Sequence, residues 1–308
     1  MFDTLLSLFD VPALRTVALG AALLGIAAGT VGCFAVLRRQ SLQGDVVSHA
    51  ALPGVAMAFL LGGRSPVLLV LGGAVAGWVA LVLVGVIDRR SRVPADAALG
   101  GTLAVFFGLG LALLQYVQKN VPHASEHPLD RYLFGQAANL RDEDVAVILW
   151  LTIGVLLVLA LVWNQFKLIT FDPDYAASVG LPVRRLDLLL TTITVVAVVI
   201  GLKAVGVVLM TALLVAPAAA ARQWTNRLGI MVMLAAAFGA CSGAGGTLLA
   251  HHLGERYKAG VPTGPTIVLM ATTFVAISLL FGTARGLLWN MPRWRRKPAP
   301  LGTTLNSD

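Results

Sequence analysis

Long apolar runs separated by short polar stretches set the pattern of this chain, and they read as membrane spans near residues 11–37, 42–61, 66–87, 95–117, 145–163, 188–221, 228–250 and 266–288. A helix crosses the hydrocarbon layer with about 20 apolar residues. The 188–221 run is too long for one crossing. Arg184 and Arg185 precede it and Arg222 and Arg227 follow it. Lys and Arg collect in cytoplasmic loops, so the run is expected to go out and come back, turning within Gly201-Leu202-Lys203-Ala204-Val205-Gly206. The expected fold is all-α: a polytopic integral membrane helical bundle of eight to nine transmembrane helices, with an external N-terminus and an internal C-terminus. Gly25 with Gly29, Gly73 with Gly77 and Gly239 with Gly243 stand four apart. That spacing lets helix backbones approach closely, and packing is favoured over gating as its purpose.

Composition sharpens the picture. Of 308 residues 57% are hydrophobic and 12% charged, and the mean hydropathy is +0.83. Soluble domains carry about 25% charged residues, so a water-soluble enzyme is excluded. The loops are too short to fold alone, so residues 1–308 are expected to form a single transmembrane domain with a short basic tail at about 289–308. Asp3 and Asp10 precede the first long apolar run, and no cleaved signal peptide is expected. The expected topology puts 15 Lys and Arg inside, 7 outside and Lys203 at the turn. That bias explains the net charge of +8 as attraction to anionic inner-leaflet lipid; no nucleic-acid motif is present. Cys33 and Cys241 lie in apolar runs and point to neither a disulfide nor a metal site.

Few ionisable residues fall inside a span. Asp45 and His49 do, within Gly44-Asp45-Val46-Val47-Ser48-His49-Ala50-Ala51-Leu52-Pro53-Gly54. Their i, i+4 spacing puts carboxylate and imidazole on one helix face. Counting the helical rise from Arg39 places Asp45 roughly 9 Å and His49 roughly 15 Å into a core about 30 Å thick. An ionisable group at such depth marks a pathway by default. Three readings compete: a hydrogen-bonded strut in the bundle, a proton relay, and a divalent-cation site. Carboxylate with imidazole suits Mn(II), Fe(II) or Zn(II), and the lack of thiolates argues against Cu(I). Pro53-Gly54 is the kind of helix interruption that frees carbonyls around transporter sites.

Between the fifth and sixth spans, Phe171-Asp172-Pro173-Asp174-Tyr175-Ala176-Ala177-Ser178-Val179-Gly180-Leu181-Pro182 reads as a complete short helix. Asp172 is an N-cap, Pro173 opens the first turn, Asp174 complements the dipole, and Gly180-Leu181-Pro182 closes it. A two-turn helix without a core of its own either lies on the membrane surface or docks into a cytoplasmic partner. No G-x-x-x-x-G-K-[ST] occurs, so ATP is not bound through a P-loop. His251-His252-Leu253-Gly254-Glu255 matches no zinc-protease helix, and no catalytic site is expected. His123, Glu126 and His127 in one external loop, and His251, His252 and Glu255 in another, are solvated side chains or a relay passing metal inward.

Taken together, these segments resemble the membrane permease subunits of the ATP-binding-cassette (ABC) transporters for manganese, zinc and iron. The resemblance is carried by Leu37-Arg38-Arg39, Gly44-Asp45, Ser48-His49-Ala50 and Leu52-Pro53-Gly54. It continues through Phe171-Asp172-Pro173, Ala176, Gly180-Leu181-Pro182 and Arg184-Arg185-Leu186-Asp187, then Ala204 to Leu209, Ala216-Pro217-Ala218 and Pro262-Thr263-Gly264-Pro265. It implies Asp45 and His49 in the metal pathway and a coupling helix at Asp172, Pro173, Tyr175, Ala176, Ala177, Gly180, Leu181 and Pro182 seated on a separate ATPase. The implied partners are a dimer of that ATPase, which alone binds ATP, a second permease subunit, and an extracellular or periplasmic metal-binding protein. The implied location is the cytoplasmic membrane of a prokaryote. The implied cargo is a divalent Mn, Zn or Fe ion, with no covalently bound cofactor. A stand-alone secondary transporter or channel is the competing class. One departure stands out: the family's short hairpin carries an acid before Pro-x-Gly, where this chain has a longer His251–Val261 stretch and Ala259-Gly260, so no role carries over there.

Overall fold

The computed structural model describes residues 12–62, 65–120, 140–257 and 260–288, and each regular element among them is an α-helix. In chain order these are α1 (Pro12–Leu37), α2 (Gln43–Gly62), α3 (Pro66–Arg90), α4 (Ala95–Asn120), α5 (Asp142–Leu161), α6 (Trp163–Phe171), α7 (Pro173–Ser178), α8 (Val183–Val205), α9 (Val207–Trp224), α10 (Leu228–Tyr257) and α11 (Thr263–Phe281). Among the described residues nine helices, α1–α5 and α8–α11, are long and apolar enough to cross a membrane. Their outward faces are as apolar as their inward ones: Trp150, Met233, Val208 and Leu61 are all more than two-thirds exposed. Such surfaces need lipid as their solvent.

The long apolar run divides at a single residue. Gly206 has φ +88°, a conformation glycine reaches without steric penalty, and it separates α8 from α9 at the last position of the predicted turn. The final span is shifted from the expected 266–288 to Thr263–Phe281, because Gly282 ends it by donating its N–H to the Ser278 carbonyl. His251, His252 and Glu255, expected in a loop, instead belong to the last two turns of α10, which runs 30 residues to Tyr257. This helical extension accounts for the length of the stretch before Val261.

Helix α1 sits at the centre, packed against α10, α9, α5 and α8, while α2, α3 and α4 form a second group joined to it by α8. The α1–α10 contact is a glycine seam. A Cβ on Gly25 would lie 2.2 Å from the Gly239 carbonyl oxygen, and one on Gly243 would lie 2.4 Å from that of Ala21, so larger residues would force the backbones apart. Gly77 packs on Val47, and Gly73 on Ala51 and Val55. The spaced glycines are thus packing sites.

At one end, here the basic end, the carboxylate of Asp187 in the second turn of α8 receives Arg38, just after α1, and Arg89, in the last turn of α3. One acid therefore ties together the ends of three helices.

Candidate functional site

Depth can be read from neighbours. Gly32 of α1 and Gly44 of α2 both face Leu214 of α9, so α2 starts level with Gly32, and the helical rise from Gly32 to Arg38 is about 9 Å. The irregular segment after Arg38, with Arg39 at φ 57°, therefore climbs into the bundle before α2 begins. Asp45 lies in the first turn of α2, where the helix dipole favours a carboxylate. His49 packs edge-on against Phe107, with ring centres 4.8 Å apart. From Ala95 at the start of α4 to Phe107 is about 18 Å of rise. His49 is thus near mid-depth, as the count along the sequence predicts.

Helix α2 is continuous through Pro53. Proline has no N–H to donate, so the carbonyl of its i−4 neighbour, His49 itself, lacks its ordinary helical partner. Gly54 lets α2 lie directly on α3, since a Cβ there would come 2.2 Å from the Gly72 carbonyl oxygen. Small residues therefore hold α2 against α3, and the proline leaves an oxygen beside the imidazole.

His49 and Ser48 line a cavity of about 840 Å³ whose other walls include Phe107 and Leu114 of α4, Val205–Leu209 around the Gly206 break, and Gly264 and Pro265 at the start of α11. The α8–α9 junction and the start of α11 both lie away from the basic end. The cavity therefore extends from His49 toward the opposite end. Ser48 is fully buried, and its hydroxyl has no hydrogen-bond partner. Asp45 does not line the cavity; it lies one turn toward the basic end. Among the described residues neither Asp45 nor His49 is paired by a hydrogen bond or a salt bridge, and no three His, Cys, Asp or Glu cluster as a metal cage. A strut holding the bundle together would show such a bond.

The loop helix is α7, with the ends that the sequence predicts. Asp172 caps it, its carboxylate accepting the Tyr175 N–H at 2.9 Å. At the other end the Leu181 N–H donates to the Ala176 carbonyl and the Gly180 N–H to that of Ala177, the paired bonds of a Schellman stop. Gly180 has φ +85° and nothing within 4 Å of a built Cβ. Ala176 is fully buried against the chain's own core and Leu181 is half-buried on it, whereas Pro173, Tyr175, Ala177, Gly180 and Pro182 are exposed. The outward surface of α7 thus centres on Tyr175 and Val179, exposed by 55% and 59%.

At the far end His251 lies 3.4 Å from Glu255, beside a smaller cavity between α1, α10 and α11. His123, Glu126 and His127 lie outside the described residues. Sequence reasoning missed Phe107 as the neighbour of His49, and the sharing of Asp187 by Arg38 and Arg89. Both are contacts between helices far apart in sequence.

Comparison with known proteins places the whole arrangement. The chain is 44% identical over 298 residues to the zinc transport system membrane protein TroC of Treponema pallidum, covering 96% of this chain and 97% of that one. It is 42% identical over 288 residues to the manganese transport system membrane protein MntC of Bacillus subtilis, with 93% of this chain matched to 65% of that longer protein. The solved PsaBC from Streptococcus pneumoniae in complex with Fab superimposes with a TM-score of 0.75 at 30% identity, covering 92% of this chain and 98% of the other. Residues 10–282 match the model of the ABC 3 transport family, and the chain belongs to that family.

Proposed function

We propose that this chain is the permease subunit of an ABC importer that carries divalent Mn, Zn or Fe ions across the cytoplasmic membrane by alternating access. The observation that carries the cargo assignment is an imidazole near mid-depth at the inner end of a cavity with a carboxylate one turn nearer the basic end, neither paired among the described residues. Leaving such groups unpaired in the membrane is costly, and a divalent cation compensates both.

Two protein ligands cannot satisfy such an ion. The His49 carbonyl, the Ser48 hydroxyl, water, and the Asp45 and His49 of a second permease subunit are the groups that complete its shell. Two acids and two imidazoles remain a borderline-hard donor set of the kind these metals accept. The cavity then represents the outward side of the pathway, with the basic end facing the cytoplasm.

Energy enters through α7. A separate ATPase dimer seats the Tyr175 and Val179 face, and closure of that dimer pushes α7 and the helices on either side of it. Rigid-body rocking then carries the Asp45 and His49 site from outward to inward access. A binding protein outside the membrane delivers the ion.

The test is metal-dependent ATPase activity of the reconstituted complex with its binding protein, comparing Mn(II), Fe(II) and Zn(II). Stimulation by one of these ions, with uptake into the vesicle, is the expected result. Uptake that continues without the ATPase or ATP would replace this reading with that of a stand-alone transporter.

A further inference from the structure

After α11 the chain turns back on the basic end of α9. The backbone N–H groups of Ala284 and Arg285 both donate to the Gln223 carbonyl, at 3.0 and 3.2 Å. The Thr283 hydroxyl donates to the Trp224 carbonyl at 3.0 Å, and the Trp224 indole N–H reaches Ser278 at 2.9 Å. A Cβ on Gly282 would sit 2.6 Å from the Gln223 side chain, so the turn is closed tightly onto α9. This hook covers carbonyls that a helix end leaves open.

By bonding the Arg285 N–H to the Gln223 carbonyl, the hook also sets Arg285 beside Arg222, the residue before Gln223 in the last turn of α9. Arg222 is half-buried and Arg285 exposed. Among the described residues neither has a carboxylate partner, whereas Arg38 and Arg89, at the same end, share Asp187. The negative end of a helix amounts to about half a charge, and the hook's donors already occupy part of it. Two guanidiniums therefore exceed what the helix end can balance, and a further anion is called for.

The surroundings indicate which anion. Phe281, Leu287 and Leu288, on either side of Arg285, are exposed by 52%, 57% and 49%. In sequence the chain continues through Trp289, Arg293, Trp294, Arg295, Arg296 and Lys297, a mixture of indoles and cations suited to the membrane boundary. An acidic protein surface would match the charges and leave the apolar residues without a partner; a phospholipid matches both. The geometry points to a binding site at Arg222 and Arg285 for the phosphate of an anionic phospholipid in the leaflet at the basic end, with Phe281, Leu287 and Leu288 against its acyl chains. Guanidinium forks suit phosphate oxygens.

The experiment uses the intact permease complex in nanodiscs of phosphatidylcholine, with or without phosphatidylglycerol, and reads retained lipid by native mass spectrometry. Wild type should retain phosphatidylglycerol preferentially. Arg285→Gln should weaken retention about 5-fold, and the pair Arg222→Gln with Arg285→Gln about 30-fold, at about 1 kcal/mol per basic residue near the surface. If the half-buried Arg222 cannot be replaced without unfolding, the exposed Arg285→Gln carries the test alone. Unchanged retention overturns the proposal. Displacement of phosphatidylglycerol by millimolar inorganic phosphate makes this a free-phosphate site and rejects the lipid. Loss of the ATPase subunit from the variant in pure phosphatidylcholine, with lipid retention intact, would assign the arginines to a protein interface instead.

Discussion

At the scale of single residues, the proposed metal pathway rests on two side chains whose positions follow from different kinds of information. The i, i+4 spacing of Asp45 and His49 and their depth are legible in the sequence, because helical rise is regular and the apolar run fixes the frame. That the count survives the non-helical segment after Arg38 depends on that segment rising alongside α1, which only the contacts of Gly32 and Gly44 with Leu214 reveal. Asp45→Ala and His49→Ala are each expected to cut metal uptake by about 10-fold or more, since each removes one of the few ligands available within the membrane, where an unpaired ionisable group is costly. Insertion and ATPase association should stay normal, since neither side chain holds a helix in place. Normal uptake by either stably inserted variant would remove that residue from the pathway. Phe107→Ala should leave the ligands intact but loosen the imidazole, raising the metal concentration for half-maximal uptake; an unchanged value would make the ring contact incidental.

At the scale of elements, α7 was readable because each of its signals is local: an N-cap Asp, a proline at the first position, and a glycine stop. What a single sequence cannot give is which face looks outward. Ala176 turns inward and Leu181 rests on the core, so Tyr175 and Val179 make the outward surface. Gly180→Arg is expected to stop uptake and weaken ATPase association. Its positive φ adds about 1 kcal/mol of backbone strain for any L-residue, so Gly180→Ala is the control for strain. If the Ala variant loses as much uptake as the Arg variant, the loss comes from a distorted stop and says nothing of a docking face. In its proposed coupling role α7 also needs an anchor to transmit a push, and Asp187, shortly after it in α8, is suited to that task. Asp187→Asn leaves Arg38 and Arg89 facing each other without their shared acid. The expected result is ATP hydrolysis retained with uptake reduced several-fold, measured on the same reconstituted sample. Equal retention of both activities would show that this ion cluster bears no load.

At the scale of the whole molecule, hydropathy gives eight apolar runs and the basic flanks of 188–221 divide one of them, which yields the nine spans found among the described residues, while the way they pack depends on which small residues meet. The strings containing Gly25 and Gly239 mark the α1–α10 seam in the sequence, whereas the α2–α3 seam is made by Gly54 with Ala58 against Gly72 with Ala76, a mixed glycine–alanine spacing. Glycine pairs alone do not reveal it. The proposed site is incomplete within one chain: it has one imidazole near mid-depth and one acid a turn nearer the basic end, with no cluster of three or more candidate ligands among the described residues. These metals take four to six ligands. The last prediction is therefore one of stoichiometry. The assembled transporter, trapped before ATP hydrolysis and analysed for bound metal, should hold one ion for every two permease chains. Asp45→Ala in both permease chains should empty the site. Two ions per pair, each retained when the chains are separated, would mean that a single chain completes its own coordination shell, and the shared site would have to be abandoned.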